Sequence, residues 1–154
     1  GANNGASGTA ALLELARVLA LEAPSTGVDL IFFDAEEGEH GAQAEDWHPL
    51  GSEYLTTHLD ELYPKKKPRS GVVIDMVCEK NANIQDRSAD IHDDHTSLNA
   101  VGIPATLLID YDYPHNYTLR DTLDRCSAQS LQKIGDELMS RLTTTQGSSE
   151  GGRR

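Results

Sequence analysis

A chain of 154 residues is long enough for one domain with a real core, and its apolar residues gather into strand-like and helix-like runs although aromatics make up only 5%. With 25 acidic against 13 basic residues and a net charge of −12, nucleic acid and anionic membrane are excluded as main partners. No apolar run reaches the length of a membrane span, the opening residues do not read as a signal peptide, and Cys78 and Cys126 either pair or stay free.

The chain opens on a glycine-rich turn, Gly1-Ala2-Asn3-Asn4-Gly5-Ala6-Ser7-Gly8. A helix is predicted next, with Leu12, Leu15, Ala16 and Leu19 on one face and Glu14 and Arg17 on another, ending near Pro24. Ser25-Thr26-Gly27 turns the chain into an apolar, β-branched and aromatic run at 28–33, which reads as a buried strand. That run releases Asp34, Glu36, Glu37 and Glu39 into a loop through residue 49. A helix is expected from about Gly51 to Tyr63, with Leu55, Leu59 and Leu62 inward. The basic run Lys65-Lys66-Lys67-Pro68-Arg69 reads as a solvated connector.

A second buried strand is predicted over 71–77 with Asp75 near its end, followed by a polar stretch, 79–99, that holds Asp90-Ile91-His92-Asp93-Asp94-His95. A third strand, Pro104 to Tyr111, again ends among acids, Asp110 and Asp112. The last helix starts from an N-cap at Ser127 and turns Leu131, Ile134, Leu138 and Leu142 inward. The domain is placed at 1–142, and 143–154 is expected to be a disordered polar tail.

Strands alternating with amphipathic helices give an α/β fold with a mostly parallel sheet, whose site lies beyond the carboxyl ends of the strands. Neighbouring side chains on an extended backbone point in different directions, so of Glu36 and Glu37 one is free to bind a metal while the other moves a proton. A P-loop, a dinucleotide-binding glycine pattern and an HExxH helix are all missing, and Gly5-Ala6-Ser7-Gly8-Thr9 lacks the spacing of a nucleophile elbow. Carboxylate and imidazole chemistry remains, and a mixed oxygen and nitrogen ligand set with an open position suits catalytic zinc.

The opening turn with its Leu-rich helix, Phe32-Phe33-Asp34-Ala35-Glu36-Glu37-Gly38 and Ile74-Asp75-Met76 resemble the zinc-dependent aminopeptidase and glutaminyl cyclase superfamily. Trp47-His48-Pro49-Leu50-Gly51-Ser52, Asp93-Asp94-His95 and Gly102-Ile103-Pro104 resemble its glutaminyl cyclase branch more narrowly. The resemblance implies a three-layer α/β/α fold of the phosphorylase/hydrolase-like kind, with a mostly parallel twisted sheet, incomplete here. It implies Glu36 as general acid/base, Glu37 as zinc ligand, Asp75 as a second carboxylate and Asp93 as a member of the hydrogen-bond network. Asn4 and His115 stand for the other two ligands. Peptide or protein N-termini would be the substrate, with one zinc ion in a cyclase or two in an aminopeptidase, and a secreted or periplasmic location. The alternatives are an aminopeptidase and an inactive, peptide-binding descendant.

This chain departs from the family at several points. Asn4 replaces an Asp ligand. The family's last ligand is the His of a Trp-His-Thr triplet before the final Asp-Thr pair, whereas Asn116 and Tyr117 precede Thr118 here and His115 comes two residues early. Cys78 stands where bacterial relatives tend to have glycine. Strands expected before the opening turn, and a helix and strand between Gln85 and Asp93, are missing, so the expectation is a fragment or a degenerate member.

Overall fold

The central strand of the sheet is Ala105–Ile109, with Leu107, Leu108 and Ile109 all buried. In the computed structural model, which describes residues 1–37 and 47–144, it lies between two others. In chain order the described elements are α1 (Ala6–Leu21), α2 (Leu50–Thr57), α3 (Leu59–Leu62), β1 (Gly71–Asp75), β2 (Gln85–Asp86), α4 (Asp94–Ala100), β3 (Ala105–Ile109), a 3₁₀ turn at Leu123–Arg125 and α5 (Ala128–Thr144). The sheet order is β1-β3-β2. A strand buried on both faces reads as a continuous apolar run, and β3 is that strand. The α/β expectation holds, in a small mixed sheet: β2 runs antiparallel to β3, with Gln85 opposite Ile109 and Asp86 opposite Leu108.

The residues group into two compact units. One comprises Phe32–Ile74 and Ile84–Ile109. Here α2 packs on α4, and α4 on β3, around Leu55, Leu59, Leu98, Ile103 and Leu107. Asp93 caps α4 with its own carboxylate, which accepts from the Asp94 N–H at 2.6 Å. The helix ends at Gly102, whose φ of +79° is left-handed, the conformation glycine adopts without cost. Asn99 then grips Ala105 at both backbone groups, accepting from its N–H at 2.8 Å and donating to its carbonyl at 3.2 Å, which sets the start of β3.

The other unit comprises Gly1–Ile31, Asp75–Asn83 and Asp110–Arg154. In it α1 packs on α5, with Ala11, Leu15, Ile134, Leu138, Met76 and Val77 buried. Fully burying a side chain such as Ile134 stabilises by about 1.5–3 kcal/mol. The Ser127 hydroxyl accepts from the Ser130 N–H at 3.1 Å, the expected N-cap. Cys78 and Cys126 form a disulfide, flanked by Ser127 N–H to Cys78 carbonyl at 2.8 Å and Lys80 N–H to Arg125 carbonyl at 2.9 Å.

Several expectations are corrected. Residues 28–33 do not join the sheet, and none of them is buried; Asp29 and Phe32 are exposed. Strand propensity is local, whereas sheet membership needs a neighbour to complete the ladder, and the three described strands pair with one another. The expected helix over 51–63 breaks at His58, whose ring nitrogen bonds the Tyr54 carbonyl at 2.9 Å; Leu62 is left 50% exposed. On α1 the inward face is Ser7, Gly8, Ala11 and Leu15, and Ala16 faces solvent. The polar stretch hides β2 and α4. Helix α5 runs through Thr143 and Thr144, two residues into the expected tail; residues 145–154 lie outside those described, as do Glu39 and the loop 38–46.

Candidate functional site

The acidic loop is built by the motif that follows it. Trp47 Nε1 donates to the Glu36 carbonyl at 2.8 Å. The backbone N–H of Leu50 donates to Ala35 at 3.3 Å, and that of Gly51 to Asp34 at 3.0 Å. Three successive carbonyls are thus held by one short segment. The fit has no slack at Gly51, where a Cβ would stand 2.6 Å from the Asp34 oxygen and 2.7 Å from its nitrogen. The Asp34 carboxylate accepts from the Ala35 N–H at 2.8 Å, and Ala35 takes a left-handed φ of +55°. Glu36 emerges half-buried and Glu37 exposed. Adjacent in sequence, the two carboxylates sit in different environments.

In the same unit Asp93 is buried and serves as the α4 cap. Asp94, 6% exposed, has one carboxylate oxygen without a hydrogen-bond partner. Burial pushes its pKa up, and a hydrogen bond from Ser52 pulls the other way without cancelling it. His95 is fully buried, with Nε2 on the Ser88 carbonyl at 3.1 Å.

Asn4, Asp75 and His115 belong to the other unit. The Asn4 side-chain amide donates to the Asn116 side-chain oxygen at 2.8 Å, and its backbone N–H donates to Asp121 at 3.0 Å. Asn3, fully buried, donates its N–H to Asp121 at 2.8 Å and accepts from the Cys78 N–H at 2.8 Å. Ser7 completes this corner, donating to the Asn3 carbonyl at 2.5 Å and accepting from the Val77 N–H at 3.0 Å. Burial alone would raise the Asp121 pKa, but the bonds from Asn3, Asn4 and Tyr113 outweigh it and hold the carboxyl below its ordinary value. Tyr113, buried and bonded to Asp121, is pushed up to about 12. Its ring meets His115 edge to face, with centroids 5.6 Å apart. His115 is half-buried, and Tyr117 is 80% exposed. Asp75, half-buried, ends β1 and precedes the buried Met76.

Among the described residues the non-glycine positions with left-handed φ are Ala35, Met76 and Tyr117. Each lies beside a candidate: next to Glu36, next to Asp75 and two residues past His115. Such conformations cost of order 1–3 kcal/mol and gather at functional sites. Asn116 and Asp121 hold Asn4 from more than a hundred residues away, so their contact with it carries no local sequence signal.

A catalytic zinc site of the family's kind takes three protein ligands and an open position. Among the described residues no group of three His, Cys, Asp or Glu side chains is gathered to hold a metal ion. Asn4 offers a neutral amide oxygen in place of a carboxylate, while its amide nitrogen donates to Asn116. The described donors do not fit zinc as a complete set.

A family model, peptidase family M28, matches residues 1–85. No curated protein matches the chain in a sequence comparison. Solved structures similar to it include a zinc-dependent exopeptidase from Parabacteroides distasonis, 25% identical over 92% of this chain and 63% of that one, with a TM-score of 0.76. A leucine aminopeptidase precursor from Bacteroides thetaiotaomicron is 27% identical over 90% and 60%, also at 0.76. The glutaminyl cyclase of Porphyromonas gingivalis is 25% identical over 94% and 66%, at 0.80. The chain therefore spans about six-tenths of the length of the first of these neighbours.

Proposed function

The chain belongs to peptidase family M28, and from that premise we propose a glutaminyl cyclase-like protein that converts the N-terminal glutamine of peptides to pyroglutamate. What carries the reading is the clamp of Trp47, Leu50 and Gly51 on the carbonyls of Glu36, Ala35 and Asp34. The segment whose sequence resembles the cyclase branch is the one that fixes the acidic loop. Glutaminyl cyclases stand among the structural neighbours beside exopeptidases, which supports the family and leaves the choice of branch to that clamp.

In this reaction the α-nitrogen of the substrate forms a bond to its own γ-carboxamide carbon, and the amide nitrogen leaves as ammonia. Glu36 takes the proton from the attacking amine and returns it to the departing nitrogen. Holding the Glu36 backbone from Trp47 sets where that carboxylate stands, and misplacement of about 1 Å costs on the order of 100-fold in rate. Asp75 and Asp93 are assigned as hydrogen-bonding carboxylates. Zinc, one ion for a cyclase, is what the family resemblance brings to the reading, with Glu37, Asn4 and His115 the sequence positions assigned to it, and the neutral amide at Asn4 makes this chain a slow catalyst. An extracytoplasmic location is part of the same proposal, supported by the Cys78–Cys126 disulfide, since such bonds persist in oxidising compartments.

A second reading, an inactive peptide-binding descendant, is favoured by the neutral Asn4, where the family carries a carboxylate ligand. The experiment offers a glutaminyl peptide and a leucyl chromogenic substrate to the parent chain, to Asn4→Asp and to Asn4→Asp with Glu36→Gln. Slow ammonia release by the parent, faster release by Asn4→Asp and loss on adding Glu36→Gln are expected, with the leucyl substrate uncut. Leucyl cleavage without cyclisation overturns the branch; silence on both substrates favours the descendant.

A further inference from the structure

We propose that Asp121 is a positioning residue that fixes the corner at Asn3 and Asn4 and, through Tyr113, the turn carrying His115, so that two candidate positions are set by one carboxylate. The inference rests on the reading above only in treating Asn4 and His115 as site positions.

Asp121 is 9% exposed, and both of its carboxylate oxygens are engaged. Oδ1 accepts from the Asn3 N–H at 2.8 Å and from the Tyr113 hydroxyl at 3.0 Å; Oδ2 accepts from the Asn4 N–H at 3.0 Å. Its backbone carbonyl accepts from the Ala2 N–H at 3.2 Å. Two successive backbone N–H groups converging on one carboxylate form an anion-binding concavity. The approach is close: a Cβ at Gly1 would stand 2.6 Å from Oδ2 and 2.7 Å from the Asp121 carbonyl oxygen.

These contacts close into a ring. Asp121 holds Asn4; the Asn4 amide holds Asn116; the Asn116 N–H donates to the Tyr113 carbonyl at 3.4 Å; and the Tyr113 hydroxyl returns to Asp121. His115 sits inside this turn, its ring edge to face with Tyr113, and its carbonyl accepts from the Thr118 N–H at 3.1 Å, while Thr118 accepts from the Asp121 N–H at 3.1 Å. An ionised carboxylate only accepts, so it suits three donors at once. An amide in its place would turn an NH₂ group toward N–H donors.

The test measures amide hydrogen exchange at Asn3 and Asn4 and the ring-proton resonance of His115 by NMR, in the parent, Asp121→Asn and Tyr113→Phe. In Asp121→Asn, exchange at both asparagines should rise about tenfold or more, the loss expected for hydrogen bonds to a charged group. The His115 resonance should shift in the same variant, while exchange at Leu107, in the other unit, stays as in the parent. Tyr113→Phe keeps the ring and removes the hydroxyl; it should move the His115 resonance with exchange at Asn3 and Asn4 little changed. Unchanged exchange at Asn3 and Asn4 in Asp121→Asn, or an unmoved His115 resonance in both variants, overturns the proposal. Should Asp121→Asn fail to fold, Tyr113→Phe decides alone by the same His115 shift. None of these signals depends on turnover, so they stand or fall apart from the cyclase reading.

Discussion

Gly51→Ala would set a Cβ 2.6 Å from the Asp34 oxygen, 2.7 Å from its nitrogen and 3.3 Å from the Phe33 Cβ. The first two are backbone atoms, so nothing can swing aside and α2 must back away from the loop. Overpacking of this kind costs about 1–3 kcal/mol. The bonds from Gly51, Leu50 and Trp47 to the loop carbonyls weaken as well, at about 0.5–1.5 kcal/mol each if lost. Against this, alanine gains up to about 1 kcal/mol of helix propensity over glycine. The net expectation is a loss of about 2–3 kcal/mol, or a Tm lower by roughly 4–12 °C in a chain of this size. The matched control is Gly135→Ala on α5, where an added Cβ meets nothing within 4 Å; it should gain about 0.8–1 kcal/mol. Thermal and urea unfolding of the two variants beside the parent make the comparison. A Gly51→Ala chain as stable as the parent, or two alanines moving stability in the same direction, would refute the clamp.

Asp94 has a raised pKa through burial, so its contribution to stability is full below the ordinary Asp range and is lost as pH rises through its folded pKa. Asp94→Asn should therefore compare better with the parent at pH 7 than below about pH 4, by a few degrees of Tm; a pH-independent difference would contradict this. Replacing Cys78 and Cys126 together by serine removes a cross-link over a sequence separation of 48, worth about 4 kcal/mol by chain entropy. A urea midpoint that does not fall would show that the loop is held without it.

The parts of the fold legible in the sequence were those whose signal is local. Ala105–Ile109 announces a buried strand by composition alone, and Ser127 announces α5 by its hydroxyl. Helix α4 was hidden because Leu98 is its only large apolar side chain, and its real marker is the cap at Asp93. Residues 28–33 misled because β propensity describes a residue, while pairing is a property of two segments. The Glu36-Glu37 pair is visible in the sequence, but why Gly51 must be glycine depends on Asp34. The Asp121 ring was illegible for the same reason, since each of its bonds to Asn3 and Asn4 joins residues more than a hundred positions apart. The cysteines offered two states, and only the fold brings them within bonding distance.

The proposed zinc site, with Asn4 as one of its positions, is tested most directly by zinc content. The purified chain is measured by elemental analysis, as isolated and after zinc loading and desalting, beside Asn4→Asp. The neutral amide at Asn4, held by Asn116, should leave the parent well below one zinc per chain, with more retained by the variant that restores a carboxylate. One tightly held zinc per chain in the unmodified protein would contradict this.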